Sequence, residues 1–146
     1  MREMRKYALI FKRWLSSHRT HKQWWLDNSK FIRSKLAKAR IASIDINDVE
    51  NIVRCLNCMN AVPLNKTMFL NPRNNNLTSI TNAWNILLHG EGPLEVRMSE
   101  CHRALKRFGR SSIQELVGFF YPNQYPLRNR NSNAGLRFFG YKIAAY

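Results

Sequence analysis

LEVRMSECHRALKRFGRSSIQELVGFF, residues 94–120, carries two helical stripes on either side of one glycine. Leu94, Met98, Cys101, Leu105 and Phe108 recur at the three- and four-residue spacing of a single helix face, and the pattern stops at Gly109. Ile113, Leu116, Val117 and Phe120 form a second such face, ended by Pro122. Ser111-x-x-Gln114 or Ser112-x-x-Glu115 supplies a capping box for that second helix. Two helices joined by the short turn Arg107–Arg110 are predicted, a helix-hairpin-helix-like unit. The first amides of a helix have no partner inside it. Here they lie beside Lys106, Arg107 and Arg110, so the turn has the donors and the charge to hold a phosphate.

Upstream, the pattern stays helical. Asn47-x-x-Glu50 reads as a capping box before Val49, Ile52, Val53, Leu56 and Met59, which predicts a helix over about 48–59. Pro63 ends it, and the Asn- and Pro-rich stretch 60–76 is expected to be a turn-rich connector, packed to the core through Val62, Leu64, Met68, Phe69 and Leu70. A helix from about Thr78 runs through Ile80, Trp84, Leu87 and Leu88 to Gly90, expected as a left-handed cap, and Pro93 suits the first turn of the next helix. No segment alternates with the period of two that a half-buried strand needs. The fold class is therefore all-α, a compact bundle of about five to seven helices in one domain spanning 1–146. It divides into basic helices (1–40), a helical middle (41–92) and the hairpin segment (93–146).

The N-terminal segment is periodic and cationic together. Tyr7, Ile10, Phe11, Trp14 and Leu15 fall on one helix face, with Arg5, Lys6, Lys12, Arg13 and Arg19 away from it. After a break at 16–20, Trp24, Trp25, Phe31, Ile32 and Leu36 mark a second helix, with Lys22, Lys30, Arg33 and Arg40 off the stripe. Three readings fit this segment: a solvated cationic face on core helices, a phosphate-binding face in which Trp and His add stacking surface, or a membrane-surface or presequence-like helix.

Charge narrows the function. The chain of 146 residues has 24 Lys and Arg against 9 Asp and Glu, a net +15. Residues 1–40 hold twelve Lys or Arg and only Glu3 and Asp27; after Glu115 there is no acid at all. Two basic ends thus flank a neutral middle. The 45% hydrophobic content is enough for a folded core rather than a basic tail. Carboxylates are too scarce for the acid cluster of a metal-dependent nuclease. No apolar run approaches the ~18 residues of a membrane span, and Tyr7–Phe11 is too short for a secretory signal core. Three cysteines suit a reducing, cytoplasmic setting (nucleoid-associated, if the chain is bacterial) rather than a disulfide framework. Cys55 and Cys58 with Cys101 and His102 offer zinc-type ligands, but the first pair lies inside a helix and the second pair is adjacent, pointing about 100° apart. Buried thiols are the simpler reading, and neither a metal nor another cofactor is expected.

Leu105–Ile113 (LKRFGRSSI), followed by Tyr125–Asn129 (YPLRN) and Gly135–Tyr141 (GLRFFGY), resembles the helix-hairpin-helix segment of the DNA-glycosylase superfamily. The resemblance covers about 37 residues. It implies a hairpin that grips the DNA backbone. The family's first hairpin glycine falls at Arg107, its catalytic aspartate at Arg128 or Asn129, and the lysine of its bifunctional members at Ser111. Neither catalytic group is present, so the resemblance implies binding without glycosylase chemistry. The Gly, Ser-Ser, Tyr-Pro and Leu-x-x-x-Gly-Tyr pattern is also similar to helical DNA-facing modules of bacterial restriction and phage-defence proteins.

The expected function is a non-catalytic nucleic-acid-binding module that prefers duplex DNA. Its contact residues are Lys106, Arg107, Gly109, Arg110, Ser111 and Ser112 at the turn. Arg128, Asn129 and Arg130 extend them on one side, and Lys12, Arg13, Arg19 and Lys22 on the other. Two alternatives stand beside it: the hairpin as a packing corner only, and an adaptor whose basic or aromatic surface binds an acidic protein or a larger assembly.

Overall fold

A computed structural model describes residues 9–10, 13, 16–17, 19–126, 130–138 and 140–142. Among them the chain forms α1 (Arg19–Leu36), a 3-10 turn (Ile41–Ser43), α2 (Ile46–Cys55), α3 (Asn57–Asn60), α4 (Pro63–Phe69), α5 (Leu77–His89), α6 (Leu94–Ala104), α7 (Arg110–Phe120) and α8 (Arg130–Phe138). No strand occurs among the described residues, so the architecture is all-α, with eight α-helices rather than five to seven.

The second hairpin helix, α7, is the centre of the fold. Ile113, Leu116, Val117 and Phe119 are buried, as are Ser112 and Glu115, because α1, α3, α5 and α6 all pack on it. A helix covered on several sides has no free face to solvate, hence its apolar composition. α1 joins through Phe119, whose ring lies 6.1 Å from that of Trp24 and 6.5 Å from that of Trp25. The Ser29 hydroxyl donates to the Phe119 carbonyl at 2.7 Å, and Ile32 and Leu36 continue the stripe into the core. At its other end α1 meets α2, where Lys35 Nζ lies 2.7 Å from Asp48 Oδ1. That ammonium holds the Asp48 carboxyl below its ordinary range.

The second core layer is aromatic. Phe69 of α4, Trp84 of α5 and Phe108 of the hairpin turn form a triangle with ring centroids 5.1–6.3 Å apart. The end of α5 finds partners for its carbonyls from three directions: Gly90 N–H on Ile86, Arg97 Nη1 on Leu87 and the Tyr121 hydroxyl on Leu88. This wiring fixes α5 against α6 and α7.

Several expected boundaries move, each for a local reason. The cap of α2 is Asp45, whose side chain accepts from the Asp48 N–H at 2.8 Å, and not Asn47; Glu50 instead pairs with Arg54 one turn on. The helix expected over 48–59 is broken at Leu56, which is extended (φ −89°, ψ 115°), and α3 restarts at Asn57. Pro63 begins a helix instead of ending one, because a first-turn proline loses no intrahelical bond. So α4 interrupts the expected connector. Gly90 is extended (φ −66°, ψ 160°) rather than left-handed; a Cβ there would meet the Ile86 carbonyl oxygen at 2.4 Å, which is why glycine fits. Pro93 is the cap before α6, one residue ahead of the first turn. The break expected at 16–20 is absent at its end, since Arg19 and Thr20 are already helical. Gly140 does stop α8: it is left-handed (φ 83°), its N–H reaches the Arg137 carbonyl, and Tyr141 N–H reaches that of Leu136.

Candidate nucleic-acid interface

The hairpin turn is longer than the spacing predicts. α6 ends at Ala104, and Leu105–Gly109 reverse the chain before α7 opens at Arg110. Leu105 and Phe108 are buried and Lys106 and Arg107 between them exposed, so the turn is anchored to the core by residues before and after its two cations. Satisfying both anchors puts Arg107 at φ 64°, the only described non-glycine residue with positive φ. A left-handed non-glycine residue costs of order 1–3 kcal/mol, whereas burying a phenylalanine side chain contributes about 1.5–3 kcal/mol. Phe108 alone offsets the strain.

A side-chain amide holds the turn from beneath. Asn75, 4% exposed, accepts the Lys106 N–H at 2.9 Å and donates to the Lys106 carbonyl at 3.0 Å and the Phe69 carbonyl at 2.9 Å. The peptide of Lys106 is therefore clamped, and its side chain, with those of Arg107 and Arg110, faces solvent. No carboxylate among the described residues pairs with these three cations. Gly109 caps α7 and brings no side chain to its first amides. The capping box expected at Ser111 or Ser112 does not form.

The helix turns Ser112 inward. It is 4% exposed, accepts from the Cys58 thiol at 3.3 Å and donates to Met59 Sδ at 3.1 Å. Its hydroxyl thus belongs to the α3–α7 contact; this corrects its place among the contact residues, to which it brings only its amide. Glu115, one turn on, is 2% exposed and accepts the Cys58 N–H at 3.1 Å. It caps α3, whose own first residue has no side-chain cap. Burial raises the carboxyl above its ordinary range, only partly opposed by the amides of Cys58 and Asn57.

Of the other expected contact residues, Gly109 and Ser111 sit at the turn, half-buried. Arg13 is exposed. Arg19 and Lys22 lie in α1 and Arg130 opens α8, while Lys12, Arg128 and Asn129 fall outside the described residues. α1 meets α7 at Phe119, nine residues and about 14 Å along the helix from Arg110. The N-terminal basic helix is thus attached at the opposite end of α7 from the turn. Two exposed groups in the last turn of α6 lie outside the expected contact residues: His102, weighed from sequence only as a zinc-type ligand, and Arg103, not singled out at all. Arg103 precedes Lys106 and Arg107 by three and four residues, the spacing that would have signalled it.

The cysteines do not converge. Cys101 is in the core and its thiol is pushed up to about 12 by burial; Cys58 is pushed up to about 12, chiefly by burial. Cys55 bonds the Asn51 carbonyl, and His102 is exposed. No three His, Cys, Asp or Glu residues gather in metal-binding geometry among the described residues. No described helix is long and apolar enough to cross a membrane.

Beside the turn, α6 and α7 enclose a groove of about 770 Å³. Leu94 and Met98 of α6, Ile113 and Val117 of α7, and Tyr125 and Pro126 are among the residues that line it. No family model matches this chain, and no curated protein or solved structure matches it.

Proposed function

We propose that this chain is a non-catalytic nucleic-acid-binding module that grips the phosphate backbone of duplex DNA with its hairpin turn. One observation carries the reading: Arg107 is kept in a strained left-handed conformation at the tip of a turn clamped by Asn75, between unpaired Lys106 and Arg110. A packing corner has no use for arginine at that position, where glycine is free of strain. A phosphate ligand does, because the guanidinium is exposed, pairs with no carboxylate among the described residues, and precedes by three residues a helix whose first amides have no side-chain cap. Arg103, exposed in the last turn of α6, widens the same positive surface.

Phosphate contacts carry no sequence information, so binding is expected to be weakly sequence-dependent. With six or more phosphates neutralised, affinity falls on the order of a thousandfold between 50 and 200 mM salt. The test is a salt-titrated binding assay against duplex DNA, single-stranded DNA and RNA. Preference for the duplex with a steep salt dependence supports the reading; salt-independent binding, or none to any nucleic acid, rejects it.

A further inference from the structure

We propose that the α6–α7 groove receives an amphipathic helix with an acidic C-terminal turn, belonging to a partner protein. Four apolar residues line the groove at helical spacing, the half-buried Leu94 and Met98 on α6 and the more deeply set Ile113 and Val117 on α7. From Leu94 to Arg103 it follows nine steps of α6, about 14 Å, which matches two to three turns of a docked helix. Such a helix presents apolar residues at i, i+3 or i+4, and i+7.

The rim gives the occupant its charge and its direction. His102 and Arg103 of α6 and Arg110 of α7 stand at the end nearest the turn; Glu95 stands at the other. A helix carries partial negative charge at its C-terminus and partial positive charge at its N-terminus. The favoured orientation sets the C-terminal turn, with its carboxylates, over Arg103 and Arg110 and the N-terminal turn near Glu95.

Charge also selects the source of the helix. A second copy of this chain brings another +15 and is repelled. The chain's own acidic segment, with Asp45, Asp48 and Glu50, already buries the apolar face of α2 through Val49, Ile52 and Val53. Duplex DNA has phosphates but no apolar stripe to cover the apolar lining. A separate acidic protein satisfies both features.

The test pans a display library of helical 14-residue peptides on the whole chain, with Ser99→Trp as counter-target. Ser99 lines the groove, is exposed, and bonds only the Glu95 carbonyl of its own helix, so the variant fills the groove without opening the core. The expected pool carries the apolar spacing and an acidic C-terminal turn. A synthetic representative is expected to bind Ser99→Trp and Met98→Glu at least about tenfold more weakly than the parent chain, with thermal midpoints confirming that both variants fold. The affinity of Ser99→Trp, which leaves every charge in place, for duplex DNA is expected to be unchanged, which separates the apolar contacts of the groove from the phosphate-binding turn. No enrichment over the counter-target, enriched peptides without the acidic turn, peptide binding indifferent to both variants, or loss of DNA binding by Ser99→Trp would each overturn the proposal.

Discussion

The side-chain amide of Asn75 accepts from the main-chain N–H of Lys106 at 2.9 Å and donates to the carbonyl of the same residue at 3.0 Å, across 31 residues of chain. This pairing ties the loop before α5 to the hairpin turn, and it sets where the cationic surface points. Asn75→Ala leaves the N–H and carbonyl of Lys106 and the carbonyl of Phe69 without their partner. The expected loss is about 2–4 kcal/mol in denaturant unfolding, since each buried unsatisfied group costs roughly 1–3 kcal/mol and water relieves part of it. On the proposed function, binding to duplex DNA is expected to weaken in the same variant at temperatures where it stays folded.

Arg107 separates stability from function. Glycine there removes the left-handed penalty but loosens the unfolded chain, so Arg107→Gly is expected to gain up to about 1 kcal/mol of stability. On the proposed function the same change is expected to weaken DNA binding, because the guanidinium is gone. Arg107→Val, β-branched at positive φ, is less stable than either. Chemical denaturation of the three proteins gives the order.

Glu115 makes stability depend on pH in the unusual direction for a carboxylate. Its folded-state pKa is raised, so the folded chain binds the proton more tightly than the unfolded one. The favourable contribution is complete below the ordinary glutamate pKa and is lost as pH rises through the higher folded value. Glu115→Gln keeps an acceptor for the Cys58 amide and removes the titration, and its stability should be flat across that window while the parent's declines. Asp48 acts at the other end: its lowered pKa stabilises the fold above the unfolded value and is lost as pH falls below it. Thermal midpoints from pH 3 to 8 distinguish the two.

Gly90 tests the packing that holds α5 and α6 together. A methyl group there is driven against the Ile86 carbonyl oxygen, which is main chain and can move only with the end of α5. Gly90→Ala is expected to cost about 1–3 kcal/mol, the range for overpacking. Gly92→Ala is limited instead by its φ of 84°, since its added Cβ meets nothing within 4 Å.

What the sequence made legible was what periodicity and local caps control. α5 was readable because Ile80, Trp84, Leu87 and Leu88 share a face and Gly90 follows; α7 because its apolar face is bounded by Gly109 and Pro122. The break at Leu56 was not readable, because the carboxylate that caps α3 comes from Glu115, 57 residues away. α4 was hidden because Pro63 reads equally as a stop and as a first-turn residue. Within the candidate site, the exposed placing of Lys106, Arg107 and Arg110 was readable from the turn itself. Ser112 was misplaced because a helix-opening serine looks the same whether it faces a ligand or a neighbouring helix, and only the packing of α3 decides. Asn75, which orders the whole turn, gives no local signal at all.

The most direct measurement of the central claim is the slope of log affinity for duplex DNA against log salt, compared between the parent chain and Arg107→Gln/Arg110→Gln. Each phosphate contact contributes about 0.9 to that slope. Loss of two contacts predicts a slope shallower by about 1.8 together with weaker binding at every salt concentration. An unchanged slope and affinity would contradict the assignment of the hairpin turn as the phosphate grip.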